Sequence, residues 1–261
     1  MAARRFKSSL YVLGMFRGKP MGSGGRRPLE SPCKNTACGY TKPMAGQSMQ
    51  DPPWLLLAEL DPPSPPSPAR SAGFGAPPTD ASCFELWERF DMLPHIRAHS
   101  LAVGRVATTL ALWARQRGLD VDVQLVRASG LLHDIAKTYT IRHGGNHGQI
   151  GGAWMQEVIG NPLLAMGIVH HVHWPWALDV RAFFLPLVII YSDKRVRHDA
   201  VVTLGERYED LYARYGLTPL ARDRITESRR QGDVLEKALS HLLGMELHEH
   251  SFDSGRLVER A

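Results

Sequence analysis

Cysteine, long apolar runs, strand-like alternation and a net charge of one sign are all scarce in this sequence, and each scarcity excludes a class. Only three cysteines occur in 261 residues, Cys33, Cys38 and Cys83. That number is odd and too small for a disulfide framework. Cys33 and Cys38 have no second Cys or His pair nearby to close a tetrahedral zinc site, so free thiols in a reducing cytoplasm are expected. The longest strongly apolar run, 183–191, contains Pro186 and is far too short to cross a bilayer. The stretch at 10–16 follows Arg4, Arg5 and Lys7, contains Gly14, and meets Arg17 and Lys19 rather than a small-residue cleavage site. It reads as unprocessed tail, with an internal start at Met44 or Met49 as the other reading. No alternating β-branched run bounded by hairpin turns is present, which argues against a sheet-built fold.

The formal charge of +5 invites a nucleic-acid reading until it is located. Residues 1–80 hold ten basic and five acidic residues, whereas 81–261 hold twenty-one of each. The excess therefore lies in the N-terminal stretch, and a basic nucleic-acid-binding domain is not expected. The chain divides at the same place by other measures. Thirteen of 18 prolines and nine of 24 glycines precede residue 81, while none of the 12 histidines does. Such proline density removes backbone donors and blocks helix, so residues 1–80 are expected to be a disordered, Pro/Gly-rich basic tail. Within it, Pro62-Pro63-Ser64-Pro65-Pro66-Ser67-Pro68 reads as an extended linker.

From about residue 82 to 250 the periodicity is helical nearly throughout. Phe84, Leu86, Trp87 and Phe90 suit a short helix ended before Pro94. Leu101, Val103, Val106, Leu110 and Trp113 mark one face of a longer helix stopped near Gly118. Asp120 or Asp122 caps a third, expected to run to about Lys137. A loop with Gly144-Gly145 leads to a helix at 148–159, and Asn161-Pro162 starts another that reaches His171. The segment 185–196 reads as a buried helix, and two or three more follow between 204 and 243. The expected fold is an all-α helical bundle.

Single histidines on helices are usually structural, and His95, His198, His241, His248 and His250 are read so. The others fall at marked places. His99 opens the face of the long helix, and His133-Asp134 ends an apolar one in Gly130-Leu131-Leu132-His133-Asp134-Ile135-Ala136-Lys137. His147 sits at a helix start, His170-His171 at a helix end, and Asp193 within a buried helix. A carboxylate in so apolar a segment needs compensation, by a cation or by an arginine.

This order, His … His-Asp … Asp with two leucines before the doublet and a lysine three residues after it, resembles the HD superfamily of metal-dependent phosphohydrolases. The text around His99, from His99-Ser100-Leu101 to Arg105-Val106-Ala107, is similar to that family's first-ligand helix. His147 and His170-His171 resemble the branch in which added histidines hold a second metal. The segment 87–91, with Glu206-Arg207-Tyr208 and Arg214-Tyr215, resembles bacterial HDIG-type members, and the likeness spans about 84–245.

The resemblance implies His99, His133, Asp134 and Asp193 as core metal ligands, with Asp134 bridging two divalent ions. It implies His147 and His170 at the second ion, with His171 replacing or joining His170 or orienting a ligand from behind. Imidazoles and carboxylates suit Fe, Mn, Co, Ni, Zn or Mg alike. Asp134 and Lys137 are the expected catalytic residues, Lys137 meeting a substrate phosphate, with Lys194 and Arg197 as weaker phosphate contacts. The implied substrate is a small phosphorylated molecule, a nucleotide foremost. A non-catalytic HD module that binds a nucleotide or a partner protein is the alternative. After the double histidine the sequence runs Val172-His173-Trp174-Pro175-Trp176, not into the glutamate and Gly-Tyr-Pro element of the cyclic-dinucleotide branch, so that activity is not expected. A similar six-ligand set in the branch that splits symmetric dinucleoside tetraphosphates keeps such substrates open. Trp174 and Trp176 are expected to pack the loop, with nucleobase stacking as the other use. Arg207 and Arg214 are read with Glu206, Glu209 and Asp210 as a solvated face. Nothing in the sequence decides oligomeric state.

Overall fold

The computed structural model describes residues 74–247. The basic tail with Cys33 and Cys38, the linker at 62–68, and His248 and His250 lie outside them. Among the described residues the chain forms nine helices: α1 (Asp80–Arg89), α2 (Pro94–Gln116), α3 (Val123–Leu132), α4 (Lys137–His143), α5 (His147–Ile159), α6 (Pro162–His170), α7 (Phe184–Lys194), α8 (Leu204–Tyr215) and α9 (Pro219–Leu243). The one departure from all-α is a hairpin between α7 and α8, β1 (Val196–Arg197) paired antiparallel with β2 (Ala200–Val201). Its strands are two residues each, too short to show alternation. None of the described helices is long and apolar enough to cross a membrane.

The helix starts follow local chemistry. Thr79 caps α1 by accepting from the Ser82 N–H, so the folded part begins before residue 82. The Gly75 and Pro78 carbonyls accept from Asn161 and Gln124 side chains. Asp122 caps α3 and Asn161 caps α6, each side-chain oxygen taking N–H groups that the helix leaves unpaired. Pro94 and Pro162 occupy first-turn positions, where the missing N–H costs nothing. The third helix stops at Leu132 rather than near Lys137. The chain turns through residues 133–136, and the sequence expected as loop becomes α4.

Two apolar clusters flank α2. One face packs with α7, α8 and α9 through Val103, Leu110, Val188, Tyr208 and Leu239. The other meets α1, α3, α5 and α6 through Ile96, Trp87, Leu131, Met155 and Ile168. Trp174 is buried in a third cluster with Phe183, Leu187 and Leu235, so the packing use of that loop prevails over stacking. Every residue of α7 except Leu185 is buried, including Asp193 and Lys194 at its end. The crossing of α2 and α3 depends on two glycines: a Cβ on Gly130 would lie 2.8 Å from the Gly104 Cα. That approach brings the end of α3, with His133, up to His99 on α2.

Candidate metal centre

The centre is assembled from helix ends. His133 and His171 are the C-cap residues of α3 and α6, His147 opens α5, Asp193 lies in the last turn of α7, and His99 projects from the second turn of α2. His133 Nδ1 donates to the Gly130 carbonyl at 2.8 Å and His171 Nδ1 to the Ile168 carbonyl at 2.7 Å. Both carbonyls belong to the last turns of their helices, where no N–H follows to pair them. His99 Nδ1 donates to the His198 carbonyl at 2.8 Å. His198 holds a positive φ of 59° at the hairpin turn, a conformation uncommon for a side-chain-bearing residue.

With Nδ1 so engaged, each ring turns Nε2 inward. His99 Nε2 lies 2.9 Å from Asp193 Oδ1, and His133 Nε2 lies 3.8 Å from that atom and 3.4 Å from Asp134 Oδ2. On the other side of the same carboxylate, Asp134 Oδ1 lies 3.3 Å from His147 Nε2 and 3.6 Å from His171 Nε2, which are 3.0 Å apart. Two triads, His99–His133–Asp193 and His133–Asp134–His171, are compact enough to hold an ion each. Asp134 thus offers one oxygen to each half of the cluster.

His133 Nε2 and Asp134 Oδ1 are buried without any hydrogen-bond partner. Lone pairs facing lone pairs in a desolvated site are costly, and the donor set of neutral imidazoles and carboxylates is that of divalent metal sites. The residues present therefore fit a metal. Burial, and then the charge of His133, pushes the His171 ring down to about 3, which keeps it neutral and able to ligate. Burial likewise lowers His147. Burial opposes charge on Asp134, but His133 and Lys137 outweigh it and hold the carboxyl well below its usual range. Asp193 behaves the same way, with Lys194, the His99 hydrogen bond and Arg207 overcoming burial.

His170 falls outside the cluster. Its half-buried ring sits edge-on to Trp174 and Trp176 at 5.3 and 5.1 Å, and His171 takes the place expected of it. Arg197 is not among the residues that line the cleft over the centre. Both lysines are there and both are engaged: Lys137 Nζ donates to Asp134 Oδ2 at 2.7 Å, and Lys194 Nζ to Asp193 Oδ2 at 2.6 Å. The cleft has a volume of about 690 Å³. His95, His198, Arg207 and Arg214 also line it, all read from sequence as structural or solvated. Arg207 is buried, with its Nη2 3.9 Å from Asp193 Oδ1, so the arginine reading of Asp193 is met as well. The signal for Arg207 was its place in the stripe Leu204, Arg207, Tyr208, three residues at helical spacing that all turn inward.

Residues 96–200 match the family model of the HD domain. An uncharacterized protein of Methanocaldococcus jannaschii is 42% identical over 74 residues, 28% of this chain and 43% of the relative. The chain thus spans less than half the length of that relative. No solved structure matches. The matched segment holds His99, His133, Asp134, His147, His171 and Asp193 in one cluster, and over residues 96–200 this chain carries an HD domain.

Proposed function

We propose that this protein is a metal-dependent phosphohydrolase or phosphodiesterase acting on a nucleotide or other small phosphoester in the cytoplasm. The observation that carries the reading is the convergence of four imidazole Nε2 atoms on Asp134 and Asp193, with His133 Nε2 and Asp134 Oδ1 buried and unpaired. The proposal places two divalent ions there. His99, His133, Asp134 and Asp193 hold one, and His147, His171 and the second oxygen of Asp134 hold the other. Divalent cations in such a centre lower the pKa of a water and draw off charge from phosphoryl oxygens.

The chain's own groups do the rest. The Gly130, Ile168 and His198 carbonyls fix three rings with Nε2 unprotonated and aimed, as the partners behind metal ligands do. Asp134 joins the two halves. Lys137, with 37% of its side chain exposed, reaches from the cleft to Asp134 Oδ2 and is placed to bind a phosphate oxygen and steady charge on it. Lys194 is buried against Asp193 and serves chiefly to neutralise that carboxylate. The cleft is of a size that suits a nucleotide.

The deciding experiment is elemental analysis of the purified chain, followed by hydrolysis of a nucleotide and phosphodiester panel with Fe, Mn, Co, Ni, Zn or Mg supplied in turn. About two ions per chain and metal-dependent cleavage lost in Asp134→Ala are expected. Metal-free protein with no cleavage under any metal would favour a non-catalytic module.

A further inference from the structure

The machinery proposed above leaves the α8 wall of the cleft without a task. Arg207, Asp210 and Arg214 are spaced by three, four and seven residues along α8, which puts them on one helix face. The row starts beside Asp193 and runs outward, about 10 Å of helix rise from Arg207 to Arg214. Asp210 holds both guanidiniums, accepting from Arg207 Nη1 at 3.1 Å and from Arg214 Nη2. One carboxylate therefore faces two fixed positive charges. Arg207 lines the cleft, is buried, and has an Nε without a hydrogen-bond partner. A desolvated, unpaired guanidinium N–H costs about 1–3 kcal/mol unless something accepts from it. Lys137 and Lys194, by contrast, are each matched to one carboxylate.

We infer that this α8 wall is a subsite for a second anionic group, so that the molecule cleaved carries a diphosphate or longer phosphate chain rather than one isolated phosphoester. The inference rests on the hydrolase reading for the scissile phosphate. A phosphate in front of Asp134 and Asp193 leaves the next one facing Arg207 and Arg214, whose forked donors match phosphate oxygens in a way that lysines do not. Arg214 also lies over the ring of the exposed Tyr215 at 5.1 Å, a contact that steadies the guanidinium at the cleft wall.

Calorimetric titration of the full, metal-loaded chain with inorganic phosphate and with pyrophosphate tests the subsite, with metal content verified after each run. Wild type should bind pyrophosphate at least about tenfold more tightly than phosphate. Arg214→Gln should erase most of that preference, whereas Arg115→Gln, an exposed arginine on α2 away from the cleft, should keep it. Because Arg207 is buried, Arg207→Lys is the second variant: it retains charge, loses the fork, and should also narrow the preference. Equal binding of the two anions by wild type, or a preference that survives in both cleft variants, overturns the subsite. Cleavage of bis(p-nitrophenyl) phosphate by wild type is measured in parallel. Cleavage without pyrophosphate preference removes the subsite and leaves the hydrolase; preference without any cleavage removes the hydrolase and leaves an anion-binding site.

Discussion

α3 and α6 end alike. Each runs from a glycine through aliphatic residues to a histidine at the C-cap, in Gly130-Leu131-Leu132-His133-Asp134 and Gly167-Ile168-Val169-His170-His171. In both, the capping histidine keeps helical dihedrals and gives its Nδ1 proton to the carbonyl three residues back. The doublets are out of step by one, however. In α3 the cap is the first member, and the second is the carboxylate Asp134. In α6 the cap is the second member, and His170, one position earlier and about 100° round the helix, meets tryptophans instead. What aims a ligand is thus its distance from the helix end, where carbonyls are free to orient a ring, and not its place within a sequence doublet.

The strongest way to break the symmetry is at the one residue that both ends share. Asp134→Asn removes the charge that faces His133 on one side and His147 and His171 on the other. Metal content should fall below one ion per chain. Hydrolysis should drop at least about a thousandfold, since such centres supply several kcal/mol of charge stabilisation. The next test separates the two members of the α6 doublet. His171→Ala should lower metal content from about two ions to about one, while His170→Ala should leave it at the wild-type value. Elemental analysis of the two variants reads this directly, and equal losses from both would refute the assignment of His171.

Those differences also mark how much the sequence disclosed. The ligand helices were legible because their caps and apolar stripes are strong: Asp122, Asn161 and the first-turn prolines start them where expected. His99, the His133-Asp134 doublet, His147 and Asp193 are brought together as the residue order suggested. The choice between His170 and His171 was not legible, because it turns on a single residue at a helix end, where boundaries are least determined by pattern. α4 was missed because Ala136, its N-cap, offers no side-chain acceptor. The hairpin was missed because its turn uses His198 rather than the Asn-Gly or Asp-Gly pair that announces such turns. Arg207 was misjudged because its inward position depends on Asp193 and Asp210, which only the fold brings to it.

The comparison extends to how each end is carried. α3 lies against α2 through backbone: Ala at 130 would put Cβ 2.8 Å from the Gly104 Cα and 3.1 Å from its N. α6 lies against α5 at Gly152, where a Cβ would meet the Val169 Cγ2 at 2.3 Å and the Ala165 carbonyl oxygen at 3.1 Å. A side chain can rotate away and a backbone cannot. Gly130→Ala should therefore cost about 1–3 kcal/mol, and Gly152→Ala visibly less. Urea denaturation of both variants would reverse the ranking if the α5–α6 contact were the stiffer one.

The smallest effect concerns the brace that ties α1 to α3. Arg127 grips Asp80 in the first turn of α1, with Nε and Nη2 2.8 and 2.6 Å from Oδ2, and the Trp87 indole N–H donates to the Leu131 carbonyl at 2.8 Å beside the capping His133. The Arg127 hydrogen bonds hold the Asp80 carboxyl below its ordinary value, overcoming the opposing effect of burial. A depressed carboxyl is more acidic folded than unfolded, so its stabilisation is complete above the ordinary value of 3.8 and is lost as pH falls through the lower folded value. Asp80 is a third exposed, which screens the pair and keeps the expected loss in Asp80→Asn to about 1 kcal/mol at pH 7. Wild type and variant should converge in urea midpoint as the pH is taken below that range. If the gap instead persisted unchanged in acid, the loss would come from the cap and packing at the start of α1, and the ion pair would contribute nothing to holding α3 in place.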